Sequence, residues 1–171
     1  EIYFSDADVP SVLMILPDSE PISFSPVKST SVKAVVDDKY METEFDGFKF
    51  DGDNSIRFED LFQSTDFIYS VVNSGLKEYI ILKDSLAPTE FLFNYTVGKN
   101  TVKSNDNGTI TFYKPDGKEI LTLNSLFAVD SNGCISEELG YTIVDNMDGT
   151  VTVGVKLSEE YVNSKERAFP I

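Results

Sequence analysis

Glu90-Phe-Leu-Phe-Asn-Tyr-Thr-Val97 alternates with a period of two: Phe91, Phe93, Tyr95 and Val97 fall on one side, Leu92, Asn94 and Thr96 on the other. Successive side chains of an extended chain point to opposite faces, so this stretch reads as a strand with one aromatic face turned to a core. Thr150-Val-Thr-Val-Gly-Val155 repeats the pattern with Val151, Val153 and Val155 inward, and Thr109-Ile-Thr-Phe-Tyr113 does so with Ile110 and Phe112. Looser runs at 12–16, 32–36, 41–50, 67–72, 77–83, 119–123 and 141–144 are dominated by β-branched and aromatic residues, which suit half-buried strands.

The punctuation between these runs is of one kind. Asn73-Ser-Gly75, Asn105-Asp-Asn-Gly108, Lys114-Pro-Asp-Gly117, Ser131-Asn-Gly133 and Asn146-Met-Asp-Gly149 each separate two apolar stretches. Asn, Asp and Gly tolerate the positive φ of tight hairpins, and Pro115 pre-sets the first turn position. From residue 66 onward the spacing predicts a meander of antiparallel hairpins. The run 77–83 is apolar on both parities, Ile80 and Leu82 on one and Tyr79 and Ile81 on the other, and so are Phe67, Ile68 and Tyr69. Such strands are expected to be central and covered on both faces, which argues for two packed sheets.

Two short pieces read as helical. Arg57-Phe-Glu-Asp-Leu-Phe62 fits one turn. Ser158-Glu-Glu-Tyr-Val-Asn-Ser-Lys165 has a capping Ser158, Glu159 and Glu160 at the positive end, Lys165 and Arg167 near the negative end, and Pro170 as a stop. The N-terminal stretch carries Pro10, Pro17, Pro21 and Pro26, and residues 1–9 are expected to be loose. The resulting expectation is an all-β fold: one antiparallel, layered β-sandwich built from hairpins over residues 1–171, with one short C-terminal helical segment. The chain starts at Glu1 without Met and shows no charged n-region followed by an apolar h-region, which leads to the expectation of a module excised from a larger polypeptide.

Composition narrows the chemistry. The 171 residues include 21 aromatics, 13 Phe and 8 Tyr, enough bulk for a sizeable core. Lys plus Arg is 14 against 29 Asp plus Glu, a net charge of −15 that repels phosphate backbones and anionic lipid, so nucleic acid is not expected as a partner. No apolar run approaches the ~18 residues of a membrane span, so membrane insertion is not expected either. With no His and a single Cys, the chain cannot build a Ser-His-Asp or Cys-His triad, a His-containing zinc site or a thiolate cluster. Carboxylate-only glycoside hydrolysis remains, but among 29 acidic residues close pairs arise by chance, and many short strands leave little room for a deep cleft. A non-enzyme is the expectation, with no catalytic residues. Cys134, just after a turn, is expected as a small, partly buried thiol.

Two places carry candidate ligand chemistry. Asp46-Gly-Phe-Lys-Phe-Asp-Gly-Asp-Asn54 is the densest cluster of oxygen donors, and Asp46, Asp51, Asp53 and Asn54 are its candidate calcium ligands. Their spacing does not follow the EF-hand loop, and an Asp/Gly-rich turn is the plainer reading. No other cofactor is expected. Tyr113, on the outward parity of its strand beside the Pro-Asp-Gly turn, is the candidate for stacking on a sugar ring; the chain has no Trp, which would offer the larger surface.

From about residue 56 onward the motifs also occur in a familiar order. Ile56-Arg-Phe-Glu-Asp-Leu-Phe-Gln-Ser-Thr-Asp-Phe-Ile-Tyr69 precedes Asn73-Ser-Gly-Leu-Lys-Glu-Tyr-Ile-Ile-Leu-Lys83. Then follow Asn107-Gly-Thr-Ile-Thr-Phe-Tyr113, Asp116-Gly-Lys118 and the closing Tyr161-Val-Asn-Ser-Lys-Glu-Arg-Ala-Phe-Pro-Ile171. This resembles the β-rich module of large secreted bacterial proteins of the wall-associated RHS-repeat and DNRLRE-domain type, in which a Gly-x-Lys-Glu-x-Ile-x-Leu hairpin and a Lys-x-Arg-x-Phe/Tyr-Pro-Val ending recur. The chain departs from that pattern by lacking Pro in Leu123–Asp130 and by carrying Tyr161 where Trp is common. The resemblance implies a non-catalytic, extracellular module of a bacterial surface or secreted protein, a structural spacer or adhesion element. Its expected partners are neighbouring modules of the same polypeptide, a glycan or a surface protein. A carbohydrate-binding module attached to a glycan-active or wall-bound enzyme is the alternative.

Overall fold

The computed structural model of the chain describes residues 1–5, 9–30, 55–73 and 75–171. The strands expected at 32–36 and 41–50, and the candidate calcium ligands Asp46, Asp51, Asp53 and Asn54, lie outside the described residues.

The stretch that opened the reading forms strand β7 (Glu90–Thr96), and its apolar parity is the centre of the core, with Phe91, Phe93 and Tyr95 all buried. In chain order the strands before it are β1 (Ile2–Phe4), β2 (Val12–Met14), β3 (Ile22–Pro26), β4 (Ser55–Phe62), β5 (Thr65–Val72) and β6 (Gly75–Leu82). Those after it are β8 (Thr101–Ser104), β9 (Ile110–Tyr113), β10 (Glu119–Leu123), β11 (Ala128–Val129), β12 (Ile135–Ser136), β13 (Leu139–Asp145) and β14 (Thr150–Leu157), closed by helix α1 (Glu159–Asn163). The fold is all-β, and every pairing among the described residues is antiparallel.

The largest sheet has the order β1-β2-β3-β7-β14-β13. Its register puts Phe91 opposite Val155, Phe93 opposite Val153 and Tyr95 opposite Val151, and on the other side of β7 sets Phe24 opposite Tyr95. One face of the sheet is therefore continuous and apolar, while Ser23, Asn94 and Thr152 alternate onto the other.

Two smaller sheets lie over that apolar face. The sheet β4-β5-β6 is seated by Phe67, whose ring lies 5.6 Å from Phe91 and 5.9 Å from Phe93, and by Tyr69, 5.9 Å from Phe24. The sheet β10-β9-β8 is seated by Phe112, 5.4 Å from Tyr95. The result is a layered sandwich with one broad sheet below and two narrow sheets side by side above. The expected turns separate β5 from β6, β8 from β9, β9 from β10, β11 from β12 and β13 from β14, with Gly75, Gly108, Gly117, Gly133 and Gly149 at positive φ.

Several expectations are corrected. Arg57–Phe62 is part of β4 and not a helical turn. Its pairing with β5 breaks register between Phe58 and Phe62, and Asp60 sits at φ 51, so a bulge returns Phe58 and Leu61 to the buried face at a spacing of three. That spacing imitates a helix in the sequence. The bulge is held by Asp66 on β5, which accepts from the Asp60 amide at 2.7 Å and pairs with Arg57 and with Lys83, the latter at 3.1 Å. Burial alone would raise the Asp66 carboxyl, but these hydrogen bonds outweigh it and hold the group below the ordinary carboxylate range.

Among the described residues β6 is an edge strand and β5 the central one, with Thr65 to Ser70 buried without interruption. Within the loose N-terminal region expected over 1–9, Ile2–Phe4 forms β1, paired with β2. Cys134 is exposed, not partly buried. The C-terminal helix ends at Asn163, so Lys165 and Arg167 lie beyond it and Pro170 is not its stop. Ser158 does cap it, accepting from the Tyr161 amide at 3.3 Å.

Phe67 is fully buried and touches the rings of Phe62, Phe91 and Phe93, so it joins the two layers. Phe67→Ala is expected to destabilise the protein by about 3–5 kcal/mol in urea unfolding. Val144→Thr, on the exposed face of β13, should stay within about 0.5 kcal/mol.

Candidate functional site

The two upper sheets share one floor, and a groove runs between them. One wall is β6, and the other is the segment 123–129 that leads from β10 into β11; Phe93, Tyr95, Tyr141, Val153 and Val155 form the floor. The groove encloses about 410 Å³, within the usual range for ligand sites.

The backbone of β6 gives the wall its character. At one end Leu82 exchanges both hydrogen bonds with Ile171, its amide donating to the Ile171 carbonyl at 2.9 Å and the Ile171 amide donating back at 3.0 Å. Leu82 therefore turns its N–H and C=O away from β5. In an antiparallel ladder residues two apart point the same way, so Ile80, Glu78 and Leu76 direct their backbone groups into the groove. Among the described residues these groups have no strand opposite them.

A strap from the C-terminus closes that end. Asp130 is buried and accepts from the amides of Asn132, Cys134 and Ala168 and from the Arg167 guanidinium at 2.9 Å. Burial would raise its carboxyl, but the amides of Cys134, Ala168 and Asn132 and the Arg167 charge together lower it. Arg167 also lies 4.1 Å from the ring centre of Tyr161, whose hydroxyl donates to the Cys134 carbonyl at 2.7 Å. Residues 164–171 are thereby fixed across the 130–134 turn, which delivers Ile171 to β6.

One carboxyl stands in the groove. Glu78 has the parity of Ile80 and Leu82, so its side chain faces the floor and not the outer surface. The cross-strand partner Tyr69 donates its hydroxyl to Glu78 at 2.6 Å. Burial among aromatic atoms pushes the carboxyl up to about 7, against the opposing pull of the Tyr69 hydrogen bond. As a residue Glu78 is still exposed, so the carboxyl sits in a crowded but wet channel. Among the described residues, the titratable groups facing it are the phenols of Tyr69, Tyr95 and Tyr141. Each is raised first by burial and next by the Glu78 charge. Tyr141 also spans the floor, donating to the Asn124 carbonyl at 2.9 Å. Glu78 is the one acidic side chain lining the groove among the described residues.

The sequence-derived candidates fall elsewhere. Tyr113 is half-buried at the end of β9, outside the groove, and Lys103 places its ammonium 5.5 Å from the ring centre, over the face a sugar would need. Beside its turn lies a shallow depression of about 530 Å³ lined by Glu20, Asn100, Lys114 and Pro115 among others. The candidate calcium ligands are outside the described residues, and among those described no three acidic or thiol groups cluster as metal ligands would. Glu78 was not singled out from the sequence. Its signal was there: a lone acid in the Leu76, Ile80, Leu82 parity of a strand otherwise apolar on that side.

The fold and groove define an all-β sandwich with an aromatic-floored cleft that, among the described residues, holds one acidic side chain. The chain gives no match to a family model, a curated protein or a solved structure, so nothing in these comparisons links it to the wall-associated or RHS-repeat type.

An unfolded glutamate titrates near 4.5 and Glu78 near 7, so between those values the native state holds more protons. The contribution of this carboxyl to stability is complete below pH 4.5 and is lost as the pH rises to about 7. Glu78→Gln keeps an acceptor for Tyr69 and removes the titration. Its melting temperature should equal that of the wild type near pH 4.5 and exceed it by roughly 2–4 °C at about pH 8, a rise kept small by water in the groove. A constant difference across that range would show that Glu78 titrates normally.

Proposed function

We propose that this chain is a non-catalytic module of an exported bacterial surface or secreted protein, an adhesion element that holds its partner in the groove between β6 and residues 123–129. The observation that carries the reading is where two of the quoted motifs lie. Gly75–Leu82 is the β6 wall and Lys165–Ile171 is the closing strap, and the two meet in the paired hydrogen bonds of Leu82 and Ile171. Motifs that only stabilised a spacer could sit anywhere in the core; these two build one concave surface. Among the described residues the groove shows one acidic side chain over an aromatic floor, which favours holding a ligand over cleaving a glycosidic bond, a reaction that takes two opposed carboxyl groups. The net charge of −15 opposes nucleic acid as that ligand. The carbohydrate-binding alternative draws on Tyr113 and the adjoining polar depression, and Lys103 over the ring weakens it.

The purified chain should be retained on intact bacterial cells bearing its natural surface partners and should release no reducing sugar from wall polysaccharide. Phe127, half-exposed, gives a probe of the groove rim. Phe127→Asp should cut retention at least about tenfold, whereas Tyr113→Ala should leave it unchanged. The reverse pattern would favour the carbohydrate reading, and sugar release would overturn the non-catalytic one.

A further inference from the structure

We propose that Asn132 is a self-modification site: its side chain cyclises onto the Gly133 backbone nitrogen and deamidates, and the isoaspartate that results unlocks the C-terminal strap. Four hairpin turns place Asn or Asp directly before a glycine at positive φ: Asn107-Gly108, Asp116-Gly117, Asn132-Gly133 and Asp148-Gly149. A glycine has no Cβ to screen its backbone nitrogen, so the preceding side chain can reach that atom and close a five-membered ring. Three of the four side chains are restrained. Asn107 accepts from the Thr109 amide at 3.3 Å and hydroxyl at 2.7 Å, and Asp116 accepts from the Lys118 amide at 3.1 Å. Asp148 accepts from the Thr150 amide at 3.0 Å and hydroxyl at 2.6 Å. Each must give up these bonds before it can turn back onto its glycine.

The turn at Asn132 is wired differently. The amide two positions after it belongs to Cys134, and that amide donates to Asp130 at 2.8 Å instead. Asn132 gives its own backbone amide to the same Asp130 oxygen at 3.0 Å. Its exposed side chain is left with no hydrogen bond among the described residues. The Asp130 hub therefore frees the group that can undo it.

The step is redox-neutral and consumes only water. The Gly133 nitrogen gives up its proton to solvent and attacks Cγ of Asn132; the bond from Cγ to Nδ2 breaks, and Nδ2 leaves as ammonia after taking a proton back. Water then opens the succinimide at either carbonyl. One opening yields aspartate on an unchanged backbone. The other yields isoaspartate, whose main chain runs through the side chain and gains a methylene carbon.

That extra carbon falls where the turn is least able to take it. The amides of Asn132 and Cys134 lie on either side of it and converge on one oxygen of Asp130. Once they are pulled apart, the buried carboxylate keeps only the Ala168 amide and the Arg167 guanidinium, and a buried charge short of partners is costly. Ser131, in the same turn, donates its amide to the Ala168 carbonyl and its hydroxyl to the Phe169 carbonyl, each at 3.0 Å. These bonds tie residues 167–169 to the turn, so rebuilding the turn loosens the strap and with it the pairing of Ile171 and Leu82.

The full chain is incubated in mildly alkaline buffer, beside a sample unfolded in urea, and isoaspartate is located by peptide mapping. In the folded chain it should form at position 132 at least about tenfold faster than at position 107, where hydrogen bonds must first break. In urea the two sites should react within about threefold of each other, because only their shared Asn-Gly sequence remains. Chains carrying isoaspartate should exchange the amides of Ala168 and Ile171 at least about tenfold faster than unmodified ones. Asn132→Asp, which has the other product's side chain on an intact backbone, should leave both amides within about threefold of the wild type. Equal rates at the two positions in the folded chain, or isoaspartate at 132 only after unfolding, would overturn the assignment of the site. Isoaspartate at 132 with Ala168 and Ile171 still protected would overturn the unlocking of the strap.

Discussion

The whole upper layer of the molecule hangs from one row of side chains on β7. Phe91 and Phe93 grip Phe67 of β5, and two residues further on Tyr95 grips Phe112 of β9. A single strand thus anchors two separate sheets. Each of those sheets is three strands wide, over a floor of six. Sheets packed face to face need side chains of matching height, and aromatic rings at successive inward positions give both sheets that height. The gap between them follows from this shared anchor, and the groove is that gap.

What keeps the gap shaped is a polar device at its end. Asp130 is buried with three backbone amides and Arg167 around it, so its charge is fully compensated where an unpaired one would be costly. The strap so fixed joins β6 at Leu82, and among the described residues the backbone groups further along that edge have no strand opposite them. An exposed sheet edge is ordinarily a hazard for aggregation. Here it is recessed between walls, and an acid is turned toward its inner face. Both features discourage pairing with another copy of so acidic a chain.

The sequence made strands and turns legible for a plain reason: half-buried strands write their period directly, and Asn, Asp and Gly mark where the chain must take positive φ. Phe91, Phe93, Tyr95, Val151 and Val153 are all where alternation put them. Arg57–Phe62 misled because a bulge at Asp60 changes the spacing of buried residues from two to three, and only the pairing with β5 reveals it. In the sequence, β6 reads as central because both its parities are apolar; lining a groove demands the same apolar surface as being covered by a sheet. Asp130 reads as a turn residue, which it is, but its partners Arg167 and Ala168 lie 37 and 38 positions away. Long-range partners of that kind leave no local trace. The site was half-visible in the same sense: Glu78 interrupts an apolar parity, yet its meaning depends on Tyr95 and Tyr141, which arrive from other strands.

The central claim is that β6 is an edge whose alternate backbone groups open into the groove, and amide hydrogen exchange on the free chain tests it most directly. Lys77, Tyr79 and Ile81, whose amides face β5, should exchange slowly, as should Leu82, bonded to Ile171. Glu78 and Ile80, between them in sequence, should exchange faster by at least about a hundredfold. Uniform protection along the strand would mean that something already covers this edge, and the groove described here would not be open to a partner.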